Sequence, residues 1–310
     1  MLPIRVALTL AQVAVLAGLA PLLDNLIKTV KARLQRRHGP PLLQGYRDLG
    51  KLLIKESIHA RPTSAIFRLA PAVSLTTSLA AAATFPVLAS SALAAPGDVL
   101  TALYVLALGR FFTALAGLDA ASAFGGLGSS RDVSLAALVE PVAVVAILVL
   151  AAGMVTPSDG AALAGAEADL LAPWRLLAAI AFFMVILAEC ARVPIDNPAT
   201  HLELTMIHEA MLLEYSGREL GCAILAARIK QTVLLAMLAT IFFPLGLGGA
   251  ATATGVALAL LALLGKLAAL AILIGVVESV VAKLRLFRVP DFLGGAFGIA
   301  LLAYIAREAL

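Results

Sequence analysis

The stretch AATATGVALALLALLGKLAALAILIGVVESVV, residues 250–281, decides the fold class because it is apolar almost throughout. Its charged side chains are Lys266 and Glu278. A helix of about 20 apolar residues is long enough to cross the hydrocarbon core of a bilayer. The whole chain has the same character, with 62% hydrophobic residues, 14% charged residues and a mean hydropathy of +1.01. These values exclude an ordinary soluble domain and predict an integral membrane protein.

Apolar segments of this kind recur along the chain without a long polar linker, which predicts a single membrane domain over 1–310. The first segment runs past Pro21, which is too long for a signal-peptide core, so we expect it to remain as a spanning helix. The predicted fold class is all-α, a polytopic integral membrane helical bundle with about eight transmembrane helices. These helices are expected near 4–27, 68–94, 98–120, 133–155, 173–191, 220–247, 250–281 and 291–308.

Basic residues are concentrated in alternate connections between these helices. Segment 28–68 is rich in Lys and Arg, whereas the acidic residues Asp98, Asp159, Glu167 and Asp169 gather in the even-numbered connections. Because cytoplasmic loops carry the excess of Lys and Arg, the odd-numbered loops are predicted to face the cytoplasm and both termini the opposite side. The net charge of +4 is therefore a topology signal, and no nucleic-acid partner is expected.

The cytoplasmic loop 28–67 is too long for a simple turn. It contains LLQGYRDLGKLLIKE, in which leucines recur as one helical stripe and predict an amphipathic interfacial helix. This helix could lie on anionic lipid or form a docking surface for a cytoplasmic partner. Arg36 and Arg37 precede a rigid Gly39-Pro40 turn, and this arrangement favours docking.

The second long loop, RVPIDNPATHLELTMIHEAMLLEYSGRE, covers 192–219. Asn197 followed by Pro198 predicts the start of a second interfacial helix. On a period of 3.6 residues Glu203 and Glu214 would share one face of this helix, about 16 Å apart along its axis. His201 and His208 would share nearly the opposite face. The two carboxylates are predicted to be stations on an ion path.

Other motifs in the chain predict neither a metal site nor a nucleotide site. His208-Glu209 begins like the zinc motif HExxH, but position 212 is leucine. Cys190 and Cys222 lack CxxC spacing and do not predict an iron–sulfur site. The glycine-rich segment FGGLGSS, 124–130, follows a spanning helix as a loop and lacks the lysine of a phosphate-binding loop.

Charged residues inside predicted spans are more informative, because each costs roughly 2.5–3.5 kcal/mol on insertion scales. Some could neutralise one another or extend toward the interface. Carboxylates that face the bundle interior are, however, what a proton or sodium pathway requires. The six intramembrane candidates are Arg110, Asp119, Glu140, Glu189, Lys266 and Glu278.

Four stretches carry a family resemblance: ARLQRRHGP (32–40), GLGSSRDVSLAALVEP (126–141), AECARVPIDNPATHLELTMIHEAMLLEYSGRE (188–219) and VAKLRLFRVPDFL (281–293). With the helix count they span nearly the whole chain. The chain resembles the membrane subunit that complex I shares with the energy-converting, group 4 [NiFe] hydrogenases, including the formate hydrogenlyase branch.

The third stretch discriminates between branches of this family. Quinone-reducing members resemble E-T-N-R-x-P-F-D-x-x-E-x-E-x-E, and this chain keeps the motif at Glu189, Arg192, Pro194, Asp196 and Glu203. Two further acidic positions of the motif fall on Ala199 and His201. This departure is similar to the formate hydrogenlyase and hydrogenase branch, and it puts a quinone site in doubt.

The resemblance implies a membrane subunit that links electron transfer and hydrogen evolution in a cytoplasmic arm to translocation of protons or sodium ions. It also implies that this chain carries no cofactor. The [NiFe] centre and the iron–sulfur clusters would belong to a hydrogenase large subunit and an iron–sulfur small subunit on the cytoplasmic side. Antiporter-like membrane subunits would be further partners, in a bacterial or archaeal cytoplasmic membrane.

The residues expected to act fall into two groups. The ion-coupling candidates are Glu140, Glu189, Asp196, Glu203, Glu209, Glu214 and Glu278. The docking candidates are Arg36, Arg37, Arg192, His201, His208 and Arg218. A quinone-reactive subunit 1 of a complex I-type NADH dehydrogenase, a self-sufficient transporter and a structural anchor stay open as alternatives, as do the ion and the electron donor.

Overall fold

The computed structural model describes residues 2–58, 63–85, 87, 98–151, 171–196, 206–244 and 253–309. Within these ranges the chain forms helices, turns and connecting segments, and no strand occurs among the described residues. The helices are α1 (Leu2–Leu34), α2 (Gln44–Ile54), α3 (Ala65–Thr84), α4 (Asp98–Asp119), α5 (Ala123–Ala151), α6 (Pro173–Glu189), α7 (His208–Leu212), α8 (Gly217–Met237), α9 (Ala253–Val280) and α10 (Val289–Glu308). A π-helical turn, Leu238–Phe242, continues α8, and a 3-10 turn, Leu286–Arg288, precedes α10.

Seven of the described helices are long and apolar enough to cross a membrane. They are α1, α3, α4, α5, α8 with its π-helical turn, α9 and α10 with the 3-10 turn before it. Helix α6, at the fifth predicted position (173–191), is apolar but has only 17 residues, which is at the lower limit for a span. The prediction of an all-α polytopic membrane protein is therefore confirmed.

Helix α1 continues well beyond the predicted end at residue 27. Its 33 residues measure about 50 Å, which exceeds the roughly 30 Å of bilayer hydrocarbon. It ends in a Schellman motif, in which Arg36 N donates to Arg33 O and Arg37 N donates to Ala32 O. Arg36 takes the left-handed conformation of this motif, with φ 56°. The two docking arginines are thus held directly at the end of a spanning helix, and both are exposed.

Helix α5 begins ten residues before the predicted start at 133, so the prediction of a loop at FGGLGSS is wrong. Ser122 Oγ accepts a hydrogen bond from Gly125 N and stabilises the first turn. A Cβ atom at Gly125 would lie 2.3 Å from Gly117 O on α4. Gly125 therefore allows α5 to pack closely on α4. Gly128 likewise allows close approach of the Ile207 backbone, because a Cβ atom at 128 would lie 2.8 Å from Ile207 O.

The spanning helices pack as a series of neighbours that leads from α1 to α6. Helix α1 contacts α9 and α8, α8 contacts α3, α3 contacts α4, and α4 contacts α5. Helix α6 packs against α5 and α10, and its side chains Phe182 and Ile186 are fully buried. The last residue of α6, Glu189, and the segment 190–196 that follows it are consequently brought into the interior of the bundle.

The amphipathic helix predicted in loop 28–67 is present as α2, which packs on α8 and α1. Leu49 is buried on its inner face, and a Cβ atom at Gly221 of α8 would lie 3.2 Å from Leu52 Cβ. Leu42 and Leu53, which belong to the same predicted stripe, stay exposed. Only part of the stripe therefore packs on the protein.

The second interfacial helix differs from the prediction. Within the described residues of loop 192–219 the α-helical segment before α8 is α7, His208–Leu212, and Met206 and Ile207 before it are not helical. Ile207 N donates to Asp196 Oδ2 at 3.0 Å instead of to a helical carbonyl. A continuous helix joining Glu203 to Glu214 is therefore wrong, and residues 197–205, with His201 and Glu203, lie outside the described residues.

The two long loops contact each other beside the start of α8. Ser216 Oγ accepts from Ile58 N at 2.8 Å and donates to Ile58 O at 3.1 Å. Gly217 adopts φ +52°, and a Cβ atom there would lie 2.2 Å from Glu56 O. The described parts of loops 28–67 and 192–219, which are predicted to share a docking role, thus contact each other directly.

Candidate functional site: buried ion pairs around an internal cavity

Arg192, just after α6, is the centre of the first buried group of charges. Its Nη2 atom lies 2.7 Å from Asp24 Oδ1 on α1 and donates to Gln231 Oε1 on α8 at 2.7 Å. Its Nη1 atom lies 3.4 Å from Glu278 Oε1 on α9. Four parts of the bundle therefore meet at one guanidinium group, and we call Arg192, Asp24, Gln231 and Glu278 the Arg192 cluster.

The local backbone explains why Arg192 points into the bundle. Helix α6 ends in a second Schellman motif, in which Ala191 N donates to Ala188 O and Arg192 N donates to Leu187 O. Ala191 has φ 47°, which turns the chain back toward α1 and α8. Burial lowers the pKa of Arg192, but Asp24 and Glu278 raise it by more, so the pKa lies above its ordinary value. Arg192, one of the docking candidates, is thus buried among these partners, and its role in docking stays a prediction.

Three further basic side chains reach the carboxylates of the Arg192 cluster. Lys28 Nζ lies 2.9 Å and Arg228 Nε 3.2 Å from Asp24 Oδ2. Lys31 Nζ lies 3.2 Å from Glu278 Oε2. The region therefore has more basic than acidic groups, and the ion-coupling candidate Glu278 lies in the interior of the bundle.

A second group of charges joins α4, α5, α6 and α8. Arg110 binds Asp132 through two nitrogens, with Nε 2.8 Å from Oδ2 and Nη2 3.1 Å from Oδ1. Arg110 Nη1 lies 2.6 Å from Glu189 Oε2, and Lys230 Nζ lies 2.8 Å from Glu189 Oε1. We call Arg110, Asp132, Glu189 and Lys230 the Arg110 cluster. Its two basic and two acidic groups balance, so the predicted intramembrane charges Arg110 and Glu189 do neutralise one another.

Asp196 joins the segment after α6 to the segment before α10. Asp196 Oδ1 lies 2.6 Å from Lys283 Nζ, while Oδ2 accepts from Ile207 N. Leu284 N also donates to Pro194 O at 2.8 Å, across the same two segments. The carboxylate therefore fixes the position of the backbone directly before α7.

An internal cavity of about 270 Å³ lies between these groups. Members of the Arg192 and Arg110 clusters and Asp196 line it, together with His208 and Glu209 of α7. Cys190 also lines the cavity, and burial raises the pKa of its thiol to about 11, so the thiol is protonated at neutral pH. The remaining lining is less polar and includes Leu106, Met211, Leu212, Ala223, Ile224, Ala226 and Ala227.

His208 is the imidazole among the described residues that line this cavity. Burial lowers its pKa, Lys230 lowers it further, and the carboxylates of Asp132, Glu209 and Asp196 act in the opposite direction. The net result is a pKa below the ordinary value for histidine. His208, expected to belong to a docking surface, is thus part of the cavity wall.

Other predicted residues lie away from the cavity. Asp119 Oδ2 accepts from Ser64 N at 2.7 Å and Phe67 N at 3.3 Å, so it caps the start of α3. Lys266 Nζ donates to Ala239 O at 3.2 Å and Phe243 O at 2.8 Å, around the end of the π-helical turn. These contacts assign both charges structural roles.

The last three predicted side chains stay near surfaces. Glu140 is exposed on the spanning helix α5 and lines, with Glu189, a small pocket of about 40 Å³. Glu214 is half-buried between α7 and α8, and Arg218 is exposed at the start of α8. None of Glu140, Glu214 and Arg218 lines the cavity.

Sequence reasoning missed several members of the clusters. Asp24 falls within the first predicted span and has a lysine four residues later, a spacing that places two side chains on one helix face. Asp132 immediately precedes the predicted start of a span at 133. Lys230 and Lys283 were interpreted as topology signals. The missed signal was the same in each case: a charge within or beside a span needs a partner of opposite charge.

Comparison with known proteins agrees with this architecture. A family model described as NADH dehydrogenase matches residues 6–307. Formate hydrogenlyase subunit 4 of Escherichia coli (strain K12) is 35% identical over 310 residues, covering 97% of this chain and 98% of that protein. Hydrogenase-4 component C of the same strain is 32% identical over 306 residues, covering 97% and 95%.

A solved structure shares the fold. A chain in the membrane-bound sulfane sulfur reductase, described as an archaeal respiratory membrane complex, has a TM-score of 0.83, with 99% of both chains covered and 19% identity. The fold, the buried charges and the matched family model over residues 6–307 agree. This chain therefore belongs to the NADH dehydrogenase family, and formate hydrogenlyase subunit 4 and hydrogenase-4 component C are among its full-length relatives.

Proposed function

We propose that this chain is the membrane subunit of a respiratory-type [NiFe] hydrogenase complex related to formate hydrogenlyase. It anchors the hydrophilic subunits and couples electron transfer and hydrogen evolution there to ion translocation across the cytoplasmic membrane. The observation that carries this proposal is the meeting of the Arg192 cluster, the Arg110 cluster and Asp196 at one internal cavity. Similarity to formate hydrogenlyase subunit 4 over 97% of the chain supports the hydrogenase assignment.

The redox centres of this complex belong, in our proposal, to partner subunits. A hydrogenase large subunit carries the [NiFe] centre, and an iron–sulfur small subunit delivers electrons to it. Both partners bind the cytoplasmic surface formed by loops 28–67 and 192–219, where the exposed Arg36, Arg37 and Arg218 supply positive charge. Antiporter-like subunits bind laterally, next to Glu140.

The proposed coupling rests on two carboxylates, Glu189 and Asp196, each of which has its two oxygens on different partners. Glu189 has one oxygen on Arg110 and the other on Lys230. Asp196 has one oxygen on Lys283 and the other on the backbone that precedes α7. A displacement of the 192–219 loop during turnover therefore changes Asp196 first, moves α7 at the cavity, and alters the charge that Glu189 experiences. Glu140, which shares a pocket with Glu189, passes the change to the lateral partner.

A coupling measurement with Glu189→Gln tests this function. The complex is reconstituted in vesicles, and hydrogen evolution and ion uptake are recorded together. The ratio of ions to hydrogen should fall by at least about tenfold, since a positioned proton-transfer group contributes on the order of a hundredfold or more. Glu189→Asp, which keeps the charge, should retain coupling, and Glu308→Gln, at an exposed carboxylate on α10, should behave as wild type. An unchanged ratio in an assembled Glu189→Gln complex would leave only the anchoring role.

A quinone-reactive subunit of a complex I-type NADH dehydrogenase is the alternative, and the description of the matched family favours it. The replacement of two acidic positions of the quinone-reducing pattern by Ala199 and His201 argues against it. Added quinone or a quinone-site inhibitor provides the discrimination. A change in turnover of the purified complex on addition of either compound would favour the alternative.

A further inference from the structure

Four of the five carboxylates of the cavity wall are already engaged with basic groups, and the fifth, Glu209, is the neighbour of His208 on α7. Asp24, Asp132, Glu189 and Asp196 each lie within 3.2 Å of a lysine or arginine nitrogen. Adding a proton to any of them would remove one charge of a buried ion pair and leave its partner uncompensated. Breaking a buried pair by neutralising one partner is strongly destabilising. These four groups are therefore poor first acceptors for a proton that enters the cavity.

The described lining is also balanced in charge. Five basic residues, Lys28, Arg110, Arg192, Arg228 and Lys230, face five acidic ones, Asp24, Asp132, Glu189, Asp196 and Glu209. A sodium ion requires several oxygen ligands together with uncompensated negative charge. A proton requires only one lone pair on a group that titrates near neutral pH, and imidazole is the side chain whose ordinary pKa lies there, at about 6.5.

We propose that His208 is the proton-accepting group of this cavity, at which a proton taken up from the cytoplasmic surface enters the buried ion-pair clusters. The position of the residue supports this role. His208 begins α7, directly after the backbone that Asp196 holds, and α7 packs on α5 and α4. His208 is therefore the part of loop 192–219 that lies next to Lys230 and Asp132 of the Arg110 cluster.

Charged groups from every neighbouring element act on this imidazole. Helix α8 contributes Lys230, α5 contributes Asp132, and the segment after α6 contributes Asp196. Glu209 is adjacent on α7, and α4 brings Arg110 to the same cavity. Because burial and Lys230 outweigh the carboxylates, the lowered pKa leaves His208 neutral at pH 7 and able to accept a proton.

A proton on His208 has a direct consequence for the Arg110 cluster. It adds a positive charge to a balanced cavity, next to Lys230, which holds one oxygen of Glu189. Repulsion between protonated His208 and Lys230 weakens the ion pair between Lys230 and Glu189. The same repulsion favours departure of the proton from His208. This step rests on the proposed function, since it supplies the proton that the coupling moves. It also commits the translocated ion to be a proton.

The protonation of His208 can be measured without turnover. The full chain contains four histidines, so ¹⁵N-histidine labelling of the chain in lipid bilayers gives a simple spectrum in which imidazole nitrogen shifts report protonation. The His208 signal is assigned by its absence in His208→Gln, and the exposed His38 serves as the internal reference. The His208 midpoint should lie below the ordinary histidine pKa of about 6.5.

Two charge variants sharpen this measurement because their effects have opposite signs. Lys230→Gln removes a cation and should move the His208 midpoint to higher pH, whereas Asp132→Asn removes an anion and should move it to lower pH. His38 should be unaffected in both. A His208 midpoint that is not below the ordinary histidine pKa and responds to neither variant would overturn the proposal.

A coupling assay separates this inference from the proposed function. In the reconstituted complex His208→Gln should lower proton uptake per hydrogen by at least about tenfold, while His38→Gln should not. If Glu189→Gln lowers the ratio and His208→Gln does not, the proposed function stands and the role of His208 is wrong. If neither variant changes the ratio, the proposed function itself fails. Uptake of sodium in place of protons by the wild-type complex would also refute the assignment of His208.

Discussion

At the scale of single residues, the backbone at Ala191 decides where the charges meet. A left-handed conformation costs an L-residue roughly 1–2 kcal/mol relative to the right-handed region. Ala191 accepts this cost at φ 47°, and the next residue, Arg192, is thereby directed into the bundle to contact Asp24, Gln231 and Glu278. The left-handed conformation at 191 is therefore stabilised by the contacts of Arg192 and not by the alanine side chain.

Substitutions at 191 should follow backbone conformation. Ala191→Gly should preserve or raise the thermal midpoint of the purified chain, because glycine enters the left-handed region freely. Ala191→Val should lower the free energy of unfolding by at least about 1 kcal/mol, because a β-branched side chain is disfavoured there. The fluorescence of Trp174, the single tryptophan, can report both midpoints.

A glycine within an ordinary helix provides the control for the substitutions at 191. Ala137 is an exposed residue of α5, and Ala137→Gly should cost about 0.5–1 kcal/mol. Equal destabilisation by glycine at 137 and at 191 would contradict the left-handed assignment of Ala191.

At the scale of elements, sequence periodicity and hydropathy located the spanning helices well, since burial in lipid requires long apolar segments. Their ends were less predictable. Helix α5 starts at Ala123 because its glycines contact α4 and Ile207, and helix packing of that kind leaves no local signal in hydropathy. The predicted helix through Glu203 and Glu214 is interrupted at Ile207. There the backbone N–H donates to the carboxylate of Asp196 instead of to a helical carbonyl.

The same reasoning applies to the candidate site. Glu189, Asp196 and Glu278 were identified because carboxylates in or beside apolar spans are costly and therefore informative. Two of their partners, Lys230 and Lys283, could not be assigned, and neither could Asp24 and Asp132, which pair with Arg192 and Arg110, because each pair joins different elements of the chain. A charge in a buried ion pair differs from a charge that fixes topology because it has a partner close by in three dimensions. A local sequence pattern does not encode that proximity.

The junction between the two long loops depends on a glycine at the start of α8. Gly217→Ala should lower the free energy of unfolding by more than about 1 kcal/mol, since the added Cβ would lie 2.2 Å from Glu56 O and φ is +52°. Loss of this contact should also expose segment 55–58 to limited proteolysis. Gly265→Ala on α9, where no atom lies within 4 Å of the added Cβ, is the matched control and should be neutral or stabilising by up to about 1 kcal/mol. Equal stability of the two variants would rule out a tight junction at Gly217.

At the scale of the whole molecule, the structure places a charged interior beneath a basic surface. Helix α1 connects the two, because it carries the buried Asp24, continues through Lys28 and Lys31, and ends next to Arg36 and Arg37. The cytoplasmic orientation of this surface, and of both termini on the opposite side, stays a prediction from the distribution of Lys and Arg.

Reversing the charge of the exposed arginine pair should release the hydrophilic subunits. In Arg36→Glu with Arg37→Glu the membrane bundle should still fold, since exposed charges contribute only about 0–1 kcal/mol to stability. Co-purification of the partners with the affinity-tagged chain measures the loss. The matched control is Arg285→Glu with Arg288→Glu, which reverses two exposed charges in the other basic segment. If the arm remains bound and active in the Arg36 and Arg37 variant, docking occurs elsewhere.

The pairing of Asp24 with Arg192 has a consequence for biosynthesis. The two residues are separated by 168 positions, and Glu278 lies further still toward the end of the chain. During translation α1 therefore enters the membrane long before its main counter-charge exists, and Lys28, one turn away at 2.9 Å, is the nearby cation available to Asp24. The interior reaches its final electrostatic state only when α9 has been inserted. Assembly of this protein is thus completed from its last third, and the ribosome must finish most of the chain before the first helix acquires its permanent neighbours.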